Sequence, residues 1–399
     1  MTSSVTQPGS SRGAGTAPEL LAIPMAASKR VDIYSGIARQ AGKLWAARQR
    51  APGGSCTAVV VIHPSSNFMG HYLLAALSQR GVDVIGANTR YIGNDSMLTM
   101  ENCVLDIGAI IAHLRAEGYE KVVLVGNSGG GGLSALYQSQ AERPTITHTP
   151  AGDPVDIVGA DLSPADAVIE LMAHPGRALV YTEWLDPAIT DESDPFRERD
   201  STVDMFEPVN GPPYSQGFLE RYRAAQVARN RRITAWVHSE LDRLDEVSGG
   251  QVRDLPFTVH GTVADPRFLD MGIEPSDRDP GTLWGPPYQA NLSPATLGHL
   301  TSLRSWLSQW SFDETRCNGP EQLARVSVPV LVMYGTADQV CFPSYAQALF
   351  DAVPHDRKEL LPVEGATHYF SDQPEHVERA VQMIVEWLQR NDLIPLPAT

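Results

Sequence analysis

Three residues stand where acyl-transfer chemistry would need them. Ser128 lies in KVVLVGNSGGGGL, residues 121–133, between an apolar run and four consecutive glycines. Asp338 follows the apolar run of VPVLVMYGTAD, and His368 follows that of KELLPVEGATH. A serine hydroxyl is a poor nucleophile near neutral pH until a histidine takes its proton, and the imidazole in turn needs a carboxylate to orient it and stabilise its cation. Ser128, Asp338 and His368 are therefore the candidate nucleophile, acid and base, in the chain order Ser, acid, His. Gly126-Asn127-Ser128-Gly129-Gly130 reads as a sharp strand-to-helix turn, in which a side chain at Gly126 or Gly130 would collide with neighbouring backbone. The Gly129 amide, at the start of the following helix, is placed to meet a developing oxyanion. A phosphate-cradling loop is excluded, because neither G-x-x-x-x-G-K-[ST] nor correctly spaced G-x-G-x-x-G is present.

Other candidates read less directly. Asp161 in GADLSPA is an alternative acid, at the end of an expected earlier strand. His63, His71 and His148 follow earlier strands and would break the chain order, so they read as pocket or structural residues. Trp184, Trp236, Trp306 and Trp310 could line an apolar site, although aromatics at helical spacing more often form a core. No His/Cys/Asp/Glu group has metal-ligand spacing, so neither metal nor cofactor is expected. Cys56, Cys103, Cys317 and Cys341 show no CxxC and read as reduced thiols.

The elements that must position these residues follow from periodicity. TAVVVIHP, VDVIGANTR and KVVLVGNS are continuous apolar runs, as in strands buried on both faces. HYLLAALSQRG and MENCVLDIGAIIAHLRAEG between them are helical and close on Gly81 and Gly118. Strands alternating with helices imply right-handed crossovers in a parallel sheet. The pattern continues with a helix in GGLSALYQSQAE and a strand in PVDIVGADLSPA ending near Leu162. It resumes in VPVLVMYG, KELLPV and the helix PEHVERAVQMIVEWLQRN. Upstream, LLAIPMAASKRVDIYSGIARQ reads as two short strands about a turn at 27–29. Residues 166–325 break the rhythm and hold five of the seven tryptophans, with helical patterns in FLERYRAAQVARNRRITAWVHSELDRL and ATLGHLTSLRSWLSQW. They read as an inserted, mainly helical cap, because a loop of that length without structure is implausible. The expected organisation is a disordered tail at 1–18, a core at 19–165 and 326–399, and a cap at 166–325.

With GNSGG, GTADQVCFP and GATHYF in this order, the chain resembles the α/β-hydrolase fold family over roughly residues 55–165 and 326–391, the cap being unmatched. The resemblance implies an α/β protein with an eight-stranded, mostly parallel sheet and a covalent acyl-enzyme on Ser128. It also implies a second oxyanion amide from the loop after the first buried parallel strand. Where that loop usually begins His-Gly, this chain reads HPSSNFMGHY, and Pro64 has no N–H. The expectation passes to the amide of Ser65, with Gly129 as the other donor. A serine at the elbow sets the chain apart from members of the fold that attack with Asp or Cys.

The function expected is hydrolysis of a carboxylic ester or thioester of a small to medium, apolar substrate. The alternatives are an acyltransferase of the homoserine-acetyltransferase-like type, carbon–carbon bond hydrolysis, and a catalytically idle ligand-binding fold. A net charge of −16 repels phosphate backbones, so nucleic acid is excluded as a partner. No apolar run approaches the roughly 18 residues of a membrane span, and the N-terminal stretch lacks the charged start and apolar run of a secretory signal. A cytoplasmic protein is expected, with monomer and homodimer both open.

Overall fold

The computed structural model describes residues 17–25, 42–197, 199–294 and 296–396. Most of the expected tail, the turn at 27–29 and the strand expected after it lie outside these residues. The described chain forms β1 (Glu19–Pro24), β2 (Lys43–Gln49), β3 (Thr57–Ile62), α1 (Leu73–Ser78), β4 (Asp83–Ala87), α2 (Met100–Ala116), β5 (Lys121–Asn127), α3 (Gly130–Glu142) and β6 (Ala167–Leu171). The cap follows with α4 (Arg177–Trp184), α5 (Gln216–Ser248), β7 (Pro256–Thr258), α6 (Pro287–Leu292), β8 (Leu300–Ser302) and α7 (Leu303–Gln309). The core closes with α8 (Gly319–Leu323), β9 (Val330–Gly335), α9 (Pro343–Ala352), β10 (Lys358–Val363) and α10 (Pro374–Arg390).

β3 shows why the sheet is parallel. Every residue of TAVVVI is buried, and alternate side chains enter different cores. Ala58, Val60 and Ile62 pack with α2 and α3, while Val59 and Val61 pack with α1 and α10. A strand covered on both faces is mostly apolar, and here the hydroxyl of buried Thr57 is satisfied by Leu393 O at 2.5 Å; helices on both sides follow from crossover connections. Each fully buried Val or Ile contributes about 1.5–3 kcal/mol. The sheet has eight strands in the order β1-β2-β4-β3-β5-β6-β9-β10. All pairings from β4 to β10 are parallel, and β1 and β2 add antiparallel at one edge. The sheet agrees with the expectation.

One strand lies elsewhere. The sixth strand was expected to end near Leu162, but that stretch is loop with one short turn at Val158–Ala160, and the strand is Ala167–Leu171. AVIEL carries Glu170, a charged residue type that makes a strand read as surface, yet all five residues are buried. The insertion between β6 and β9 therefore begins after Leu171. At its other end, Leu323 and Val326 pack with Ala135, Val168 and Val330 of the sheet layer.

The cap is built on α5, a 33-residue helix whose N-terminus is capped by Ser215, Oγ accepting the Phe218 amide at 3.2 Å. It stops at Gly249, left-handed at φ 59°. Ile233 and Val237 of α5 pack on Tyr181, Trp306, Leu307 and Trp310. The helix expected over 295–310 begins only at Leu303, where Ser302 caps it. The cap interior also buries charge. Arg229, wholly buried, donates to Glu192 at 2.7 and 2.9 Å and to the carbonyls of Asp186, His260 and Gly261. A buried cation needs this full complement of acceptors. Among the described residues, no helix is long and apolar enough to cross a membrane.

Candidate active site

β5 delivers Ser128 to the carboxyl edge of the sheet. Ser128 has φ 56°, a left-handed conformation that non-glycine residues seldom adopt. Its amide donates to Leu171 O at 3.1 Å and its carbonyl accepts from Gly131 at 3.1 Å, so strand β6 and helix α3 hold the turn from both sides. The flanking glycines are required sterically. A Cβ on Gly126 would lie 2.4 Å from Gly130 O, and one on Gly130 would lie 2.2 Å from Ile62 O. Gly131 and Gly132, unexplained by the turn alone, face the loop after β6. A Cβ there would meet Glu170 Oε2 at 2.6 Å and Gly176 Cα at 3.0 Å, respectively.

β9 and β10 deliver the other two groups. His368 Nε2 is 3.1 Å from Ser128 Oγ, and His368 Nδ1 is 2.8 Å from Asp338 Oδ2. The second Asp338 oxygen accepts the amides of Val340 and Cys341 at 2.7 and 2.9 Å. Asp338 and His368 are buried. The three residues anticipated from widely separated parts of the sequence thus form one continuous hydrogen-bonded chain. Such a chain can pass a proton from a hydroxyl to an imidazole whose cation faces a fixed carboxylate. Asp338, Cys341 and His368 also place a possible metal-ligand atom each within 4.8 Å of one another. Two of the three are already engaged in this chain.

The HPSS loop after β3 differs from expectation. The Ser65 amide, expected as an oxyanion donor, donates instead to His63 Nδ1 at 3.1 Å, and the Ser66 amide does the same at 2.8 Å. The ring of His63 draws both amides into its own loop. Its Nε2 would be 2.9 Å from a Cβ on Gly129, so the imidazole, rather than the Ser65 amide, abuts the residue after Ser128. Pro64 is accommodated because only its carbonyl is used, by the Thr89 hydroxyl at 2.5 Å.

Two further residues, His174 and Arg177, join His63 around Gly129. His174 accepts the Gly176 amide on Nδ1 at 3.2 Å, and its Nε2 would be 3.4 Å from a Gly129 Cβ. Arg177, the first residue of α4, would place Nε 3.5 Å from the same point. Its Nη1 donates to Asp95 at 2.9 Å and Gln309 at 2.7 Å, and its Nη2 donates to Ser65 Oγ at 2.7 Å. The guanidinium lies 5.2 Å from the centre of the Trp310 ring. Burial and the Arg177 charge push the His63 imidazole well below its usual range, and they lower that of His174 to about 3. The sequence signal is in MAHPGRALV, where a histidine and an arginine interrupt an apolar stretch inside the segment expected to be cap.

The remaining candidates fall away from this point. Asp161 is exposed and left-handed at φ 50°, beside Ile23, Leu105 and Ala109 on the α2 side of the sheet. His71 donates Nε2–H toward Asn127 Oδ1 at 3.4 Å and so props the elbow. His148 is exposed. Trp184, Trp306 and Trp310 are cap core, while Trp236 is half exposed. A run of rings, His63, Phe68, His71, Tyr72 and Phe370, links the β3 loop to the loop carrying His368 at centroid spacings of 5.5, 4.8, 4.1 and 5.2 Å. None of the four cysteines is paired.

No protein-family model and no curated protein sequence matches the chain. Among solved structures it is similar to the α/β hydrolase GrgF from Penicillium sp. sh18, at 12% identity over 94% of this chain and 98% of that one, with a TM-score of 0.51. It is also similar to DcsB in complex with its substrate analogue, at 13% identity over 94% and 100%, with a TM-score of 0.50. The esterase domain of a Rhodothermus marinus protein aligns at 13% identity over 94% and 98%, with a TM-score of 0.46. With six parallel strands extended by an antiparallel pair, a strained serine at the β5–α3 turn and a large insertion after β6, the chain has the α/β-hydrolase fold.

Proposed function

We propose that this protein is a serine hydrolase that cleaves a carboxylic ester or thioester of a small to medium, apolar substrate through an acyl-enzyme. The observation that carries the reading is the Ser128–His368–Asp338 chain, with contacts of 3.1 and 2.8 Å. Ser128 Oγ attacks the carbonyl carbon as His368 Nε2 takes its proton, and the carbonyl electron pair moves to oxygen. The Gly129 amide and the N-terminus of α3 face that oxygen. Collapse of this intermediate breaks the bond to the leaving group, which takes the proton from His368. Water then repeats the attack on the acyl carbon, giving its proton to His368, and the acid leaves as Ser128 recovers the proton. Asp338 holds His368 Nδ1 at 2.8 Å and fixes the imidazole tautomer. The apolar, small to medium substrate is favoured by the bulk of the insertion between β6 and β9 and by the acidic chain.

The test is a series of p-nitrophenyl esters of graded acyl length, with and without alcohol acceptors. Free acid released at a rate independent of acceptor is expected. Acyl transfer dominating over hydrolysis would move the assignment to an acyltransferase, and inertness toward every ester and thioester would reject it.

A further inference from the structure

We propose that the second half of the oxyanion hole is made of side chains, the Nε2–H groups of His63 and His174, in place of the backbone amide that the β3 loop would otherwise supply. This rests on the hydrolase reading above and names two further catalytic residues for it.

The tautomers follow from the hydrogen bonds. An imidazole nitrogen that accepts an N–H carries a lone pair, so in a neutral ring the other nitrogen carries the proton. His63 Nδ1 accepts two amides, from Ser65 and Ser66, and His174 Nδ1 accepts the amide of Gly176. Both rings therefore present Nε2–H, and both Nε2 atoms converge on Gly129, at 2.9 and 3.4 Å from where its Cβ would be. The same bonds that create these donors consume the Ser65 amide. Gly129 lacks a side chain at the one position where a methyl group would push the His63 ring away.

Each ring is also kept neutral. Burial and the neighbouring Arg177 cation disfavour a second proton on either. A neutral donor stabilises an alkoxide without surrendering its proton to it, as preorganised amides do. In the tetrahedral stage no proton leaves either histidine: the electron pair displaced from C=O sits on oxygen and accepts Nε2–H from each ring. Arg177 is a positioning residue. It is tied to Asp95 and Gln309, and it holds Ser65 Oγ, hence the loop that aims His63.

The experiment has three parts. Fluorophosphonate labelling of the wild-type chain first establishes whether Ser128 is a nucleophile; absence of label removes the hydrolase reading and this one with it. Long-range ¹⁵N–¹H spectra of the histidine-labelled wild type then report tautomers without any substitution. Nε2–H at both His63 and His174 is expected, and Nδ1–H at His63 overturns the proposal even in an active enzyme. Finally, acylation by p-nitrophenyl butyrate is followed in His63→Leu, His174→Leu and His63→Gln. Each Leu variant should lose on the order of 10²-fold in acylation rate with little change in KM, as removal of one oxyanion donor does. His63→Gln, which retains an N–H donor and an acceptor for the loop amides, should recover part of the loss. Leu variants that acylate at the wild-type rate would overturn the assignment while leaving Ser128 as the nucleophile. If a Leu variant does not fold, the tautomer measurement and the Gln variant decide.

Discussion

The two loops that flank Gly129 are built by opposite means. The elbow after β5 is made of glycine and one strained serine, and it brings bare backbone to the site. The loop after β3 is made of His63, Pro64 and two serines, and it turns its backbone inward onto the His63 ring. In the first, chemistry is exposed by removing side chains. In the second, a side chain gathers the amides and is itself presented.

Substitutions can break or sharpen this contrast. The largest effect is expected from Ser128→Ala, which should lower kcat/KM by about a thousandfold or more with an unchanged circular dichroism spectrum. Activity within tenfold of wild type would remove the elbow from the chemistry. Next is Gly130→Ala. Its Cβ would lie 2.2 Å from Ile62 O, where two backbones meet and neither can yield, so a loss of about 1–3 kcal/mol or more is expected in denaturant unfolding. An unaltered midpoint would mean that the close packing is not what demands glycine there.

A smaller, pH-dependent effect is expected at Glu170, which supports the elbow side from beneath Gly131. Burial raises its carboxyl well above the usual range, offset in part by the Ser134 hydroxyl on Oε1, while Oε2 has no partner. A raised pKa means that the folded state holds a proton the unfolded chain releases above about pH 4.3, so stability falls as pH rises past that value. Glu170→Gln removes this linkage. Its Tm should match wild type near pH 4 and exceed it by a growing margin toward pH 8; a constant difference across that range would contradict the assignment. The smallest effect is expected from Pro64→Gly, which restores the glycine common in related loops. It should cost about 0.4–1 kcal/mol through the freer unfolded chain and leave kcat nearly unchanged, because the Ser65 and Ser66 amides still serve His63. A tenfold rise in kcat would show instead that the loop backbone faces the oxyanion.

What the sequence displayed and what it hid divide along physical lines. Ser128 and Asp338 were legible because each follows a strand that is apolar and buried on both faces, and His368 because it follows the short run LLPV of the edge strand β10; those patterns are local. β6 was not, because Glu170 reads as surface and only the α3 contact of Ser134 shows that it is buried. The misplaced strand also hid His174 and Arg177, which follow it directly. The cap was illegible for the same reason on a larger scale: charged residues of α5 such as Arg229 read as a solvated face, whereas their acceptors lie on segments more than thirty residues away. The acceptor of the Ser65 amide is not legible in the sequence, because it depends on the rotamer of His63, two positions earlier, and no spacing encodes that.

The account stands or falls on the nucleophile, and intact-protein mass spectrometry with peptide mapping after brief fluorophosphonate treatment tests it most directly. One adduct per chain at Ser128 is predicted, absent in Ser128→Ala and much slower to form in His368→Ala. An adduct on any other residue, or equal labelling of Ser128→Ala, would contradict it.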